Sequence, residues 1–152
     1  MPWKPRVTVA VVAERQGRFL MVEEHIDGAI RYNQPAGHLE DGESLVDAAV
    51  RECREETACD FSPSALVGIY RWRHDASGDT FLRATFCGPC SDPREERELD
   101  RDIVATHWLE PDDIRARERQ LRSPLVLRSI DDYLAGRRYP LELLVELDRG
   151  HA

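Results

Sequence analysis

The chain has 152 residues, 41% of them hydrophobic and 33% charged, which fits a globular protein with one ordinary core and excludes a disordered chain. Its formal net charge of −8 lacks the basic footprint that nonspecific binding to nucleic acid requires. The apolar run Val7–Ala13 is too short to span a membrane and has no small-residue cleavage pattern after it, so a cytoplasmic protein with no membrane association is expected.

In chain order, Val7–Ala13 and Arg18–Glu24 read as β-strands, with ERQG between them as a hairpin turn ending in Gly17. The stretch HIDGAIRYNQPAGHLEDGE is punctuated by Gly and Pro. It reads as a long loop with a short strand near Ile30–Tyr32, and loops of this length are usually functional. From Glu43 to Thr57 the period becomes helical: Leu45, Ala49 and Cys53 recur at four-residue steps, flanked by Val46 and Val50. LVGIYRWRH and DTFLRATFC read as two strands joined near Ser77 and Gly78, SDPREERELDRD as a charged loop or short helix, and IVATHWLE as a strand. PDDIRARERQL reads as a helix. A second helix follows in SPLVLRSIDDYLAG, with Ser123 as its N-cap, Pro124 in its first turn and Gly136 at its stop. The pattern predicts a single α/β domain over residues 1–152, with a mixed sheet and helices on both faces.

Charge is unevenly spread. Between Glu40 and Thr57 there are seven acids and two bases, and between Arg115 and Arg138 seven bases and three acids. An acidic centre and a basic C-terminal portion suit a metal and an anionic ligand held together, and equally suit scattered surface charge. All basic residues but Lys4 are arginine, a bias that favours bidentate phosphate contact but that genome composition also produces.

The segment RECREETAC concentrates the question, because Glu52, Glu55 and Glu56 fall at helical spacing opposite the Leu45–Ala49–Cys53 stripe. Each like-charge pair costs only ~0.2–0.5 kcal/mol when exposed, so a solvated acidic face is one reading. Three hard oxygen donors on one rigid face for Mg²⁺ or Mn²⁺ is the other.

Read from Gly37, the sequence GHLEDGESLVDAAVRECREETAC resembles the signature of the Nudix hydrolases. That signature is Gly, five residues, Glu, seven residues, then Arg-Glu-hydrophobic-x-Glu-Glu-x-Gly-hydrophobic. Gly37, Glu43, Arg51, Glu52, Glu55 and Glu56 match it at fixed spacing across 23 residues. Cys53 and Cys59 stand where larger hydrophobes are usual, and Ala58 replaces the glycine of the helix stop. RYNQPAGHLE, TFLR, Trp108, LRSPLV and RRYPLE extend the resemblance toward the NudJ phosphatase subgroup.

The resemblance implies an α/β/α sandwich around a central mixed β-sheet. It also implies Mg²⁺ (or Mn²⁺) held by Glu52, Glu55 and Glu56 and completed by the carbonyl of Gly37 or Ala36. Glu43 and Arg51 would be structural support, Arg51 steadying the glutamates. One helix glutamate, with Glu56 favoured, or a loop carboxylate would take the proton of the attacking water. The implied reaction is hydrolysis of phosphoanhydride bonds in nucleoside di- and triphosphates, and of the diphosphate of the thiamine pyrimidine precursor. Damaged nucleotides or nucleotide sugars are the alternative substrates within the family. A noncatalytic phospholigand sensor is the alternative of another class, disfavoured because a sensor needs no metal-activated water.

For substrate contacts, Arg83 lies on a strand with its side chain opposite Leu82 and Ala84. It reads as a phosphate ligand or as a surface arginine. Tyr32, Tyr70 and Trp72 are candidates to stack on a flat ring or to be core aromatics. Arg137 and Arg138 are a candidate basic rim, and Asp100 and Asp102 are candidate extra metal carboxylates. Cys87-Gly-Pro-Cys90 matches a redox dithiol pattern, but turn residues and a proline follow it and no Trp precedes it. It reads as an incidental turn, and Cys53 and Cys59 lack the spacing for the other half of a zinc site. The partner expected is a small diphosphate or nucleotide, with the protein a monomer or homodimer.

Overall fold

The computed structural model describes residues 2–147. Strand β1 (Arg6–Val12) is followed by β2 (Glu14–Arg15), β3 (Arg18–Ile26), β4 (Ala29–Asn33) and β5 (Ala36–His38). Helix α1 (Leu45–Thr57) leads into β6 (Ala65–Arg73), β7 (Thr80–Cys87) and β8 (Ile103–Leu109). Helices α2 (Pro111–Ala116) and α3 (Leu125–Leu134) follow, with 3₁₀ turns at Glu118–Gln120 and Leu141–Leu143. Among the described residues no helix is long and apolar enough to cross a membrane.

The strands form two sheets where one was expected. A mixed sheet has the order β5-β1-β7-β6, with β1 and β7 parallel and the outer pairs antiparallel. The second sheet is antiparallel and is built on β3, which pairs with β2, β4 and β8. The ERQG turn closes β2 onto β3 with positive φ at both Gln16 and Gly17, the geometry of a tight hairpin whose twist matches its strands.

Strand β1 is buried on both faces, which is why its sequence is an unbroken apolar run rather than an alternating one. Val9 and Val11 join Leu20, Ala49 and Cys53 in the core under α1. Val12 joins Phe19, Met21, Ile114, Val126 and Ile130 in the core under α2 and α3. Helices therefore lie on both faces of the sheet layer, as the sequence predicts.

Local signals decide the helix ends. Ser44 caps α1 by accepting a hydrogen bond from the Asp47 N–H at 3.0 Å. Ser123 does the same for α3, its Oγ accepting from the Leu125 N–H at 3.2 Å, although the regular helix begins only at Leu125. The expected helix PDDIRARERQL is split instead. It ends at Ala116 and tightens into a 3₁₀ turn, so that Leu121 bridges alongside Tyr32.

Helix α1 stops at Ala58, which adopts left-handed geometry (φ 64°, ψ 9°) in the place where glycine is usual. Carbonyls freed there find partners in the loop after β7. Ala58 O accepts from the Arg94 N–H at 3.0 Å and from the Arg97 guanidinium at 3.2 Å, and Glu55 O accepts from the Asp100 N–H at 2.9 Å. Asp60 adds ion pairs to Arg94 and Arg97, both at 2.7 Å. The charged segment after β7 contains no helix; it is a loop stitched to the end of α1. Because the left-handed residue lacks only a glycine, Ala58→Gly is expected to raise stability by about 1 kcal/mol, a rise in Tm of about 2–4 °C. Urea and thermal unfolding check this, and a fall in Tm would contradict it.

Candidate active site

The three glutamates of α1 are not a solvated face. Glu52 is 9% exposed and Glu56 6%, and only Glu55 is half-buried. Glu52 and Glu56 stand one turn apart, beyond Ala48 on the same line, and β5 covers them. The Ala36 N–H donates to Glu56 Oε1 at 2.8 Å. A Cβ placed on Gly37 would lie 2.1 Å from the Glu52 carboxyl carbon. Glycine at position 37 lets the backbone approach the carboxylate, and any larger residue would have to push Glu52 away from Arg51.

Arg51 binds the acids together. Its Nε and Nη2 form a two-pronged pair with Glu43, at 3.0 and 2.7 Å. Nη1 donates to Glu52 at 2.8 Å and to Glu55 at 3.2 Å, and Nη2 also reaches the His38 carbonyl at 2.9 Å. The hydrogen bond from Arg51 holds the Glu43 carboxyl below its ordinary range. The support expected of Glu43 and Arg51 corresponds to these contacts.

Carboxylate oxygens of Glu52, Glu55 and Asp100 lie within 4.8 Å of one another. The loop stitched to the end of α1 brings Asp100 into the group, a placement that helix periodicity alone does not reveal. Glu56 is outside this trio, held at Ala36, so the expected set of Glu52, Glu55 and Glu56 is only partly brought together. Burial pushes the Glu52 carboxyl up to about 7 against the pull of Arg51, and pushes Glu56 up to about 9 against the Ala36 hydrogen bond. Neighbouring Asp100 adds to both. Such a trio of hard oxygen donors, short of positive charge, suits a divalent cation of the Mg²⁺ or Mn²⁺ class.

Glu52 and Glu56 line one side of a cavity of about 450 Å³. The face of the mixed sheet forms its floor, where strand alternation sets Arg83 beside Thr8 and Phe81. Arg83 is no surface arginine: it is 4% exposed. It donates only to neutral amide oxygens, Gln34 Oε1 at 3.3 Å and Asn33 Oδ1 at 3.2 Å, and makes no ion pair with a described carboxylate. Burial lowers it to about 10, with Glu56 opposing. Trp72 forms an aromatic wall with Phe81, whose ring centroid is 5.6 Å away at 25° between planes, and with His74 at 5.2 Å.

Other candidates are placed elsewhere. Tyr32 does not line the cavity: Asn33 takes the cavity face of β4, so Tyr32 points to the other face, near His107 and 5.4 Å beneath the Arg117 guanidinium. Tyr70 donates its hydroxyl to Asp132 at 2.7 Å. Arg137 pairs with Asp132 and Arg138 covers the Tyr133 ring, so neither forms a basic rim at the cavity. Within CGPC, Cys90 lies 3.7 Å from Cys53 rather than against Cys87, and all four cysteines are free. Two cavity residues are not among the candidates: Glu24, at the end of the apolar run of β3, and Arg122, on the loop before α3, although LRSPLV, which contains Arg122, carries part of the resemblance.

Crowding at Gly37 gives a direct prediction. Gly37→Ala is expected to cost about 1–3 kcal/mol of stability, because the new methyl must displace the Glu52 carboxylate or the β5 backbone. Chemical denaturation measures it, and an unchanged midpoint would mean that β5 stands off α1.

Comparison with known proteins agrees with this geometry. Residues 3–128 match the NUDIX domain family model. The Phosphatase NudJ of Escherichia coli (strain K12) is 43% identical over 143 residues, which cover 93% of this chain and 92% of that protein. A NUDIX hydrolase from Nitrosomonas europaea superimposes with a TM-score of 0.94 and 48% identity, covering 97% of this chain and 100% of the other. The MutT protein from Methanosarcina mazei Go1, at 19% identity and a TM-score of 0.70 over 91% of this chain and 100% of that one, shares the fold. The chain therefore belongs to the Nudix family and is a hydrolase of phosphoanhydrides with NudJ-like phosphatase relatives.

Proposed function

We propose that this hydrolase is Mg²⁺-dependent (Mn²⁺ substituting) and cleaves nucleoside di- and triphosphates and the diphosphate of the thiamine pyrimidine precursor, the chain acting as one domain. One observation carries the reading. A buried guanidinium with no carboxylate partner, Arg83, faces the same cavity as Glu52 and Glu56, and Glu52 is one of three clustered carboxylates with too little positive charge among them. An anion bearing a divalent cation satisfies both.

Glu52, Glu55 and Asp100 would hold the ion, with Glu56 and a carbonyl of Ala36 or Gly37 beside them. Bound there, it would neutralise the phosphate oxygens and lower the pKa of water. The chain's own residues do the rest. Arg83 fixes a phosphate from the cavity floor, and Asn33 and Gln34 hold its fork in place. Trp72 offers its face to the flat ring of the substrate. Arg51 keeps Glu52 and Glu55 oriented. Glu56 is the proton acceptor for the attacking water once its own proton has been displaced by a bound cation: its Oε1 is pinned by the Ala36 N–H, leaving Oε2 free for the water.

Glu56→Gln is expected to lower kcat by about 10²–10⁴-fold. Glu55→Gln should raise the Mg²⁺ concentration needed for half-maximal activity by about tenfold or more. Both variants should stay folded. The assay is phosphate release from a panel of nucleoside di- and triphosphates and the pyrimidine diphosphate; unchanged turnover in both variants would defeat the mechanism.

The raised carboxyls also tie stability to pH. In the metal-free protein the folded chain holds the Glu52 and Glu56 protons more tightly than the unfolded chain does. The contribution of these two groups is fullest below their ordinary value of 4.5 and is lost as pH rises through about 7 and about 9. A cation competes with those protons. Mg²⁺ is therefore expected to raise Tm more at about pH 8 than at about pH 6. Calorimetric scans with Mg²⁺ and with chelator check this; a larger shift at the lower pH would contradict it.

A further inference from the structure

A second cavity of about 350 Å³ adjoins the first and shares Glu24, Glu56 and Arg122 with it. Five carboxylates line it, those of Glu24, Asp27, Glu56, Asp100 and Asp102, and Arg122 is the one arginine or lysine among them. The metal-suited trio lies along this boundary, since Glu52 lines the first cavity and Asp100 the second. A phosphate chain reaching from the aromatic wall past the trio would thus push its end into a groove of like charge. Of the residues that line it, Arg122 carries the one permanent positive charge that could receive it there.

Arg122 is built for that contact. Its backbone is fixed, the N–H donating to the Tyr32 carbonyl at 2.8 Å while Leu121 bridges to the same strand. Its side chain is 47% exposed and makes one hydrogen bond, from Nη1 to Glu24 Oε2 at 3.1 Å. A guanidinium carries five N–H donors in a fork that matches phosphate, so most of them are free to serve a ligand. Glu24, whose side chain is only 8% exposed, holds the fork at the boundary until a stronger anion takes it.

We propose that Arg122 leaves Glu24 to grip the terminal phosphate of a three-phosphate chain, which makes it the residue that selects for chain length. This rests on the reading of the site as one that binds a phosphoanhydride with its cation. Binding of inorganic tripolyphosphate and pyrophosphate, each with Mg²⁺, is measured by calorimetry on the intact protein and its variants. KM for a nucleoside triphosphate and the matching diphosphate is measured alongside. Arg122→Ala is expected to weaken tripolyphosphate by about tenfold or more and pyrophosphate by under about threefold, with the same split in KM. Arg122→Lys, which keeps the charge but not the fork, should recover part of the loss. Glu24→Gln, which frees the guanidinium, should tighten tripolyphosphate. Equal losses for both anions, or a Glu24→Gln variant weakened like Arg122→Ala, would show the pair to be a strut between the loop and β3 and would overturn the proposal alone. If the unaltered protein binds neither anion, the reading of the site falls with it.

Discussion

One guanidinium holds the site together. Arg51 gathers Glu43, Glu52 and Glu55 and the backbone of β5 on a single fork, across 2.7–3.2 Å contacts. Without it, a helix carrying two buried carboxylates and a third beside them would face repulsion and desolvation together. With it, the acids remain short of positive charge, but in a fixed arrangement. The pair with Glu43 spans eight residues of sequence and ties the segment just before α1 to the middle of the helix. The orientation of Glu52 and Glu55 is thereby decided by the helix itself rather than by a mobile loop.

Helix α1 and the mixed sheet put opposite charges on facing sides of one cavity. Strand β5 brings Gly37 against the Glu52 carboxylate and the Ala36 N–H onto Glu56, which leaves both acids little exposed where they line the cavity. Across the cavity, the parallel pairing of β1 with β7 sets Thr8 beside Arg83 and keeps Arg83 under the sheet layer. Low polarity strengthens attraction to a ligand as much as it penalises an unpaired charge. A site with acids on one wall and a lone cation on its floor is therefore costly when empty and selective for a ligand that carries both signs.

Much of this was legible in the sequence, because local rules dominate where elements are regular. Strand alternation placed Arg83 on the opposite side from Ala84, and the Ser123 and Gly136 signals bounded α3. Spacing along RECREE brought the glutamates together. The misses are long-range. Glu52 and Glu56 read as opposing the apolar stripe, but each follows Ala49 or Cys53 by three residues and so borders it, and β5 then covers them. Asp100 and Asp102 read alike as candidate metal carboxylates, and only Asp100 joins the acids, because its N–H takes the Glu55 carbonyl freed at the end of α1; a sequence does not display where a loop will find its acceptors. Tyr32 was misplaced because period-two alternation assigns faces in pairs without saying which face meets the cavity; Asn33 took that face. The second sheet went unseen because β8 returns to β3 over a separation of about eighty residues, which no local pattern reports.

The uneven charge along the chain has a different use from the one its totals suggest. The basic segment from Arg115 to Arg138 does not face the acidic centre as a block. Arg128 and Arg137 neutralise Asp132 within α3 and its end, Arg115 pairs with Asp131 to join α2 to α3, and Arg138 lies on Tyr133. Most of that surplus is consumed in holding the helical layer over β6 and β3. The positive charge that meets the cavity comes from two positions that a running sum hides: Arg83, isolated between Leu82 and Ala84 in the middle of a buried strand, and Arg122, on the loop that α2 and its 3₁₀ turn carry back to β4. Charge totals describe how a chain meets solvent, whereas recognition of an anion depends on which few cations the fold withholds from carboxylate partners.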